Sequence, residues 1–174
     1  MRGSSHANLS APASLFPYPD PIYPLMSEHL AKLTWNRGDA GFGYKEYPRT
    51  HEWEFPKSGQ TVRAAAAIEF LGTPDCVDPE EAFTASLTSC HLLTFLAIAS
   101  MSGYVIDSYE DAPVGYLEKA EDGKPWLARV VMHPRITFSG DKQPTPEQVE
   151  VLHEKAHKEC FLARSVKTAV TWEA

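Results

Sequence analysis

Cysteine is scarce in this chain, with three in 174 residues: Cys76, Cys90 and Cys160. An odd count at that density does not build the paired framework that staples small secreted domains. The opening Met1-Arg2-Gly3-Ser4-Ser5-His6 lacks the apolar core of a secretory signal and resembles an expression leader. A reducing cytoplasm is therefore the expected setting. Surplus positive charge is also missing. Lys plus Arg total 16 against 23 Asp plus Glu, a net charge of −7, so no nucleic-acid partner is expected, because neutralising phosphates needs an excess of cations. Long apolar runs are missing as well. The richest, Leu92 to Met101, is dotted with Ser and Thr and falls short of the roughly 18 residues a membrane span needs, so no membrane partner is expected either. What is present is ordinary globular material, 43% hydrophobic and 22% charged, which argues against wholesale disorder and for one domain with a real core.

Residues 1 to 27 form an N-terminal extension, punctuated by Pro12, Pro17, Pro19, Pro21 and Pro24. Proline fixes φ and removes donors, so this is an extended arm or tail outside the domain. Phe16, Tyr18 and Tyr23 could dock it on a partner subunit. From residue 28 to 174 the pattern is that of a folded unit. Glu28 to Trp35, Tyr44 to Phe55 and Thr61 to Phe70 are aromatic and β-branched and read as a three-stranded meander. Asp78-Pro79-Glu80-Glu81 is a capping box with proline at the first helical position. It opens a long helix to about Ser102, where Gly103 supplies the left-handed stop. Phe83, Leu87, Cys90, Thr94, Ala97 and Met101 recur at helical spacing and are expected to form its inner face. Further apolar residues around the cylinder predict a central helix covered on most sides. Two more strands follow, Ser108 to Ala120 and Pro125 to Phe138, joined by the Glu121-Asp122-Gly123-Lys124 turn. Thr145-Pro146-Glu147-Gln148 opens a second helix to about Leu162. Val166 to Trp172 alternates as a closing strand. The order β-β-β-α-β-β-α-β predicts an α+β fold with largely antiparallel sheet and two packed helices.

Chemistry is expected at two of the cysteines. Cys90 lies on the apolar face of the first helix and is followed by His91. Cys160 ends the stripe His153-x3-His157-x2-Cys160 on the second. The two can meet if the helices pack together. Cys76, in a loop beside Asp75, reads as incidental. A peroxide-reducing thiol needs a thiolate, a cation to lower its pKa and bind the developing oxyanion, and a second thiol to trap the sulfenic acid. Cys90 is too deep in its helix for the dipole to supply that field, so an arginine or lysine from elsewhere must do it, with an arginine of the early strands the leading candidate. Zinc is an alternative on the same residues: His153, His157 and Cys160 with Cys90 or His91.

Two stretches resemble a known family. Asp78-Pro79-Glu80-Glu81-Ala82-Phe83 leading to Ser89-Cys90-His91-Leu92-Leu93-Thr94-Phe95-Leu96 is similar to the helix signature of the OsmC/Ohr family (osmotically inducible protein C and organic hydroperoxide resistance protein). His157-Lys158-Glu159-Cys160-Phe161 with Ser165-Val166-Lys167-Thr168 looks like its second cysteine helix and last strand. The resemblance covers residues 28 to 174. It implies an intertwined homodimer and a cofactor-free, metal-free, thiol-dependent peroxidase acting on hydroperoxides. By that resemblance Cys90 is the peroxidatic and Cys160 the resolving residue. Glu80 matches the acidic residue that orients an arginine, and Arg49 matches that arginine, with Arg37 its rival. An external dithiol, of lipoyl or thioredoxin type, would reset the disulfide. The Ohr branch has Cys-Phe and Cys-Pro where this chain has Cys90-His91 and Cys160-Phe161, so the preferred peroxide does not carry over. Phe83, Phe95 and Phe161 are expected to line an apolar substrate pocket. The competing reading is a non-enzymatic stress or ligand-binding protein on the same fold. Glu80 and Cys90 are ten residues apart, about 15 Å along a straight helix. Either Arg49 bridges them, the helix start is kinked, or a second subunit completes the site.

Overall fold

In a computed structural model the chain is described from residue 27 to residue 173. The predicted N-terminal arm and its aromatic residues lie outside the described residues, apart from Ser27.

The elements run β1 (Lys32–Thr34), β2 (His51–Phe55), β3 (Gln60–Ala64), α1 (Pro79–Met101), β4 (Val105–Glu110), β5 (Val114–Lys119), β6 (Pro125–Met132), β7 (Arg135–Ser139), α2 (Pro146–Glu159) and β8 (Ala169–Trp172). The fold is α+β with two helices, as expected, but each of the two long strands predicted after α1 is broken in two. The breaks fall at Asp111-Ala112-Pro113 and His133-Pro134. Proline takes a donor out of the ladder and restricts the residue before it. The two breaks are tied together, because the His133 N–H donates to the Asp111 carboxylate at 2.7 Å. The halves then join different sheets: β4 pairs β7, while β5, β6 and β8 form a separate sheet. All pairs are antiparallel except β6 with β8. The third predicted strand is also shorter than expected. It stops at Ala64, and Ile68–Phe70 forms a 3-10 turn.

The helix boundaries follow local chemistry. Asp78 accepts from the Glu81 N–H at 2.7 Å while the Glu81 carboxylate accepts from the Asp78 N–H at 3.2 Å. Thr145 and Gln148 exchange the same pair of bonds at the start of α2. α1 ends in a Schellman arrangement, with Tyr104 N–H to Ala99 O at 3.0 Å and Gly103 N–H to Ser100 O at 2.9 Å. Gly103 sits at φ +77°, where a side chain would be strained.

The buried residues of α1 are Thr84, Leu87, Thr88, His91, Phe95, Ile98 and Ala99. Of the expected inner face only Leu87 is among them; Cys90 and Thr94 are half-buried and Met101 is exposed. On a helix apolar nearly all round, periodicity does not select the face, and the structure chose the stripe beginning one residue later. α1 is also covered on one side only, with Leu93 64% exposed. By length and composition it is apolar enough to cross a membrane, contrary to the reading of its shorter apolar run. Its inner face nonetheless packs polar Thr84, Thr88 and His91 into the protein core.

Two apolar clusters meet along α1. Leu87 packs with Val130, Met132 and Val170 of the β5-β6-β8 sheet. Phe95, Ile98 and Ala99 pack with Leu152 and Ala156 of α2, backed by the β4-β7 pair. Gly115 on β5 lets the sheet approach the helix: a Cβ there would lie 2.3 Å from Thr84 Oγ1.

Candidate functional site: a dithiol between two helices

Cys90 lies in the middle of α1, on the flank of the buried stripe. Cys160, expected near the end of a helix running to about Leu162, is the C-cap of α2, because the helix ends at Glu159. Its N–H still bonds Ala156 O at 2.9 Å, and the turn that follows wraps back onto it through Arg164 N–H to Cys160 O at 3.1 Å. The Ala163 N–H donates to Cys160 Sγ at 3.4 Å. This local geometry fixes the direction of the side chain, and the packing of α1 on α2 does the rest. Cys160 Sγ and Cys90 Sγ lie 2.7 Å apart, across 70 residues of chain.

The two sulfurs are not equivalent. Cys160 is fully buried and Cys90 is half-buried. Burial, and then the hydrogen bond to Cys90, push the Cys160 thiol up to about 11. At neutral pH Cys160 therefore keeps its proton and donates it toward Cys90 Sγ. The half-buried sulfur is thus the one a small molecule can reach, and the buried one is held beside it. Cys76 is free, half-buried and in the turn before α1.

Behind the sulfurs lies a group of histidines that the sequence reading left without a settled role. His91 and His153 are both fully buried, and His91 Nε2 meets His153 Nδ1 at 3.0 Å. Their rings are within 10° of parallel. Trp172 lies against His91, His153 and His157, with its Nε1–H donated to Glu150 at 2.9 Å. Burial lowers both His91 and His153 to about 4, so both rings are neutral at pH 7. One nitrogen of the contact donates and the other accepts. Among the described residues no group of three or more His, Cys, Asp or Glu side chains is arranged to hold a metal.

The charged residues matched by resemblance are not at the sulfurs within this chain. Arg49 donates to Tyr47 O at 2.7 Å and to Tyr44 O, and its guanidinium lies 4.0 Å from the Tyr47 ring centre. Arg37 donates to Ala40 O within its own turn. Glu80, on the first turn of α1, lines a cleft of about 310 Å³ with Ala67, Phe70, Leu117 and Leu127. Arg49 and Glu80 form no ion pair with each other. α1 runs unbroken from Glu80 to Cys90. The expected phenylalanine pocket is not formed. Phe95 is buried against α2, Phe83 packs toward the β5-β6-β8 sheet, and Phe161 is 79% exposed.

Two packed helices over split, mostly antiparallel sheets, with a half-buried and a buried cysteine in contact between the helices, make this an α+β protein with a paired dithiol. The model of the OsmC family, described as OsmC-like protein, matches residues 72–174. This chain belongs to that family. A structure of an OsmC-like protein of unknown function from Vibrio cholerae is 44% identical, with a TM-score of 0.79, covering 85% of this chain and 99% of its own. An organic hydroperoxide resistance protein OsmC from Legionella pneumophila is 14% identical, with a TM-score of 0.60, covering 87% of this chain and all of its own. The organic hydroperoxide resistance protein OhrB of Bacillus subtilis is 20% identical, with a TM-score of 0.58, covering 83% and 96%. At those last identities the likeness is one of fold. No curated protein matches the chain.

Proposed function

We propose that this protein is a thiol-dependent peroxidase that reduces hydroperoxides, organic ones included. The observation that carries the reading is the 2.7 Å contact between Cys90 and Cys160, with the accessible sulfur accepting from the buried one. The Cys90 thiolate attacks the terminal peroxide oxygen. A sulfur–oxygen bond forms, the oxygen–oxygen bond breaks, and the alkoxide leaves and takes a proton to become the alcohol. The Cys160 sulfur then attacks the Cys90 sulfenic acid. A disulfide forms, and the hydroxyl leaves as water with the proton that Cys160 carried. An external dithiol, of lipoyl or thioredoxin type, takes the disulfide back to two thiols and is itself oxidised. No metal or cofactor enters this cycle, and it suits a cytoplasmic setting.

The cation this chemistry needs is assigned to Arg49, oriented by Glu80, contributed across a homodimer interface. Two features support a second copy. β1, the loop after it and the 3-10 turn after β3 expose Leu33, Trp35, Phe42, Phe70 and Leu71, with Phe42 at 70%, and α1 exposes Leu93 and Met101 on its outer face. Apolar surface on that scale marks an interaction face.

The test is stopped-flow oxidation with cumene hydroperoxide. Wild type is expected to lose two thiols per peroxide and to turn over with a dithiol. Cys90→Ser is expected to abolish turnover. Cys160→Ser is expected to stop after one equivalent, with a sulfenic acid at Cys90. Wild-type turnover in Cys90→Ser would overturn the Cys90 mechanism, and thiols in the wild type that do not react would leave the non-enzymatic reading in its place.

A further inference from the structure

The two cysteines ride on different helices, and something must hold those helices in the one arrangement that brings the sulfurs together. Apolar packing alone is a poor candidate. The α1–α2 contact is made by Phe95, Ile98 and Ala99 against Leu152 and Ala156, several of them small. Dispersion between such side chains has little directionality, and a slip of one helical turn is 5.4 Å. A second, directional contact fixes the crossing that this apolar patch leaves adjustable.

The His91–His153 hydrogen bond is that second point. His91 is the next residue after Cys90 on α1. His153 is seven residues before Cys160 on α2, on the same helical face and about 10 Å away along the axis. The bond sits at the seam between the two apolar clusters, walled by Trp172 and Phe95, with ring centres at 5.4 and 4.4 Å from His153. Both imidazoles are removed from water to make one contact, and desolvating polar groups is costly. Apolar side chains of similar volume are often at least as stable at such sites, while the polar pair fixes geometry. We infer that His91 and His153 are positioning residues: their mutual hydrogen bond sets the register and crossing of α1 on α2 that delivers Cys160 Sγ to Cys90 Sγ.

The inference rests on the dithiol reading above, but its test consumes no peroxide, so the two can fail separately. In a Cys76→Ser background, the protein is equilibrated with oxidised and reduced glutathione at fixed pH. Cys90 and Cys160 give up two electrons and two protons to one oxidised glutathione, which becomes two reduced ones. The equilibrium constant reports how well the two sulfurs are placed. The double variant His91→Leu/His153→Leu is expected to melt at or above the wild-type temperature yet to lose at least tenfold in that constant, about 30 mV. His153→Asn, whose amide stands where Nδ1 lies, is expected to stay within threefold of wild type, and His153→Leu is not. An unchanged constant in the folded double variant overturns the inference. So does an equal loss in His153→Asn and His153→Leu, a comparison that decides the matter even if the double variant does not fold.

Discussion

The β1–β3 sheet and the body formed by α1, α2 and β4 to β8 are built on opposite terms. In the body, Phe95, Leu87, Met132 and Val130 are fully buried and the two helices close over split sheets. In the N-terminal sheet every residue of β1 is exposed, and Leu33 stands 66% open. It is joined to the body beside buried Ala64 and Ala65, where the Ala65 N–H donates to Val77 O and the Val77 N–H donates to Arg63 O, both at 3.1 Å. The difference teaches where stability and assembly reside. The body closes its own core. The N-terminal sheet carries aromatic surface that a single copy of the chain leaves uncovered.

Substitutions and conditions can break or sharpen that contrast. The largest effect is expected from Phe95→Ala, which empties the centre of the α1–α2 cluster. It should cost about 3–5 kcal/mol in thermal or denaturant unfolding, whereas Leu33→Ala in the N-terminal sheet, at a 66% exposed position, should change the same transition by no more than about 0.5 kcal/mol. Acid comes next. His91 and His153 titrate near 4 in the fold and near 6.5 in the unfolded chain. The unfolded state therefore binds more protons between those values, and stability falls as pH drops from about 6.5 toward 4. The loss should reach about 3 kcal/mol for the first of the two rings to be protonated. It should shrink when both rings are replaced by leucine. The titration belongs to the α1–α2 packing, so the fluorescence of Trp172, which lies against both rings, will report it. Smaller again is Gly115→Ala, whose added carbon meets Thr84 Oγ1 at 2.3 Å. It should cost about 1–3 kcal/mol, and Thr84→Ala in the same chain should recover most of that. Smallest is Lys32→Ala, which removes the exposed Lys32–Glu54 ion pair. It should give no resolvable change in Tm, since exposed pairs contribute little.

Features carried by neighbouring residues were legible beforehand. The Asp78–Glu81 and Thr145–Gln148 boxes, the Gly103 stop and the Gly123 turn each depend on residues within a few positions. The prolines at 113 and 134 are equally visible, yet alternation of apolar residues carries on through the breaks and predicts continuous strands; what the breaks change is the sheet each half joins. The inner face of α1 departs from expectation for a different reason. When almost every position is apolar, the helix offers several faces and the neighbours choose among them. His91 and His153 gave a weaker signal: a histidine in an apolar stripe, and a His-x3-His spacing that suggested metal more readily than a partner 62 residues away.

The sequence by itself determined the two helices, where both begin and where the first ends, the hairpin, the family signature and the pair of cysteines worth watching, because each is written in short-range hydrogen bonding or in a local motif. Only the tertiary structure decided which sulfur is buried, that the two touch, which side of α1 faces the core, and that Arg49 turns back onto its own loop. Those outcomes depend on helix crossing and sheet exchange between segments distant in the chain, where packing in three dimensions, and no local preference, selects one arrangement among several.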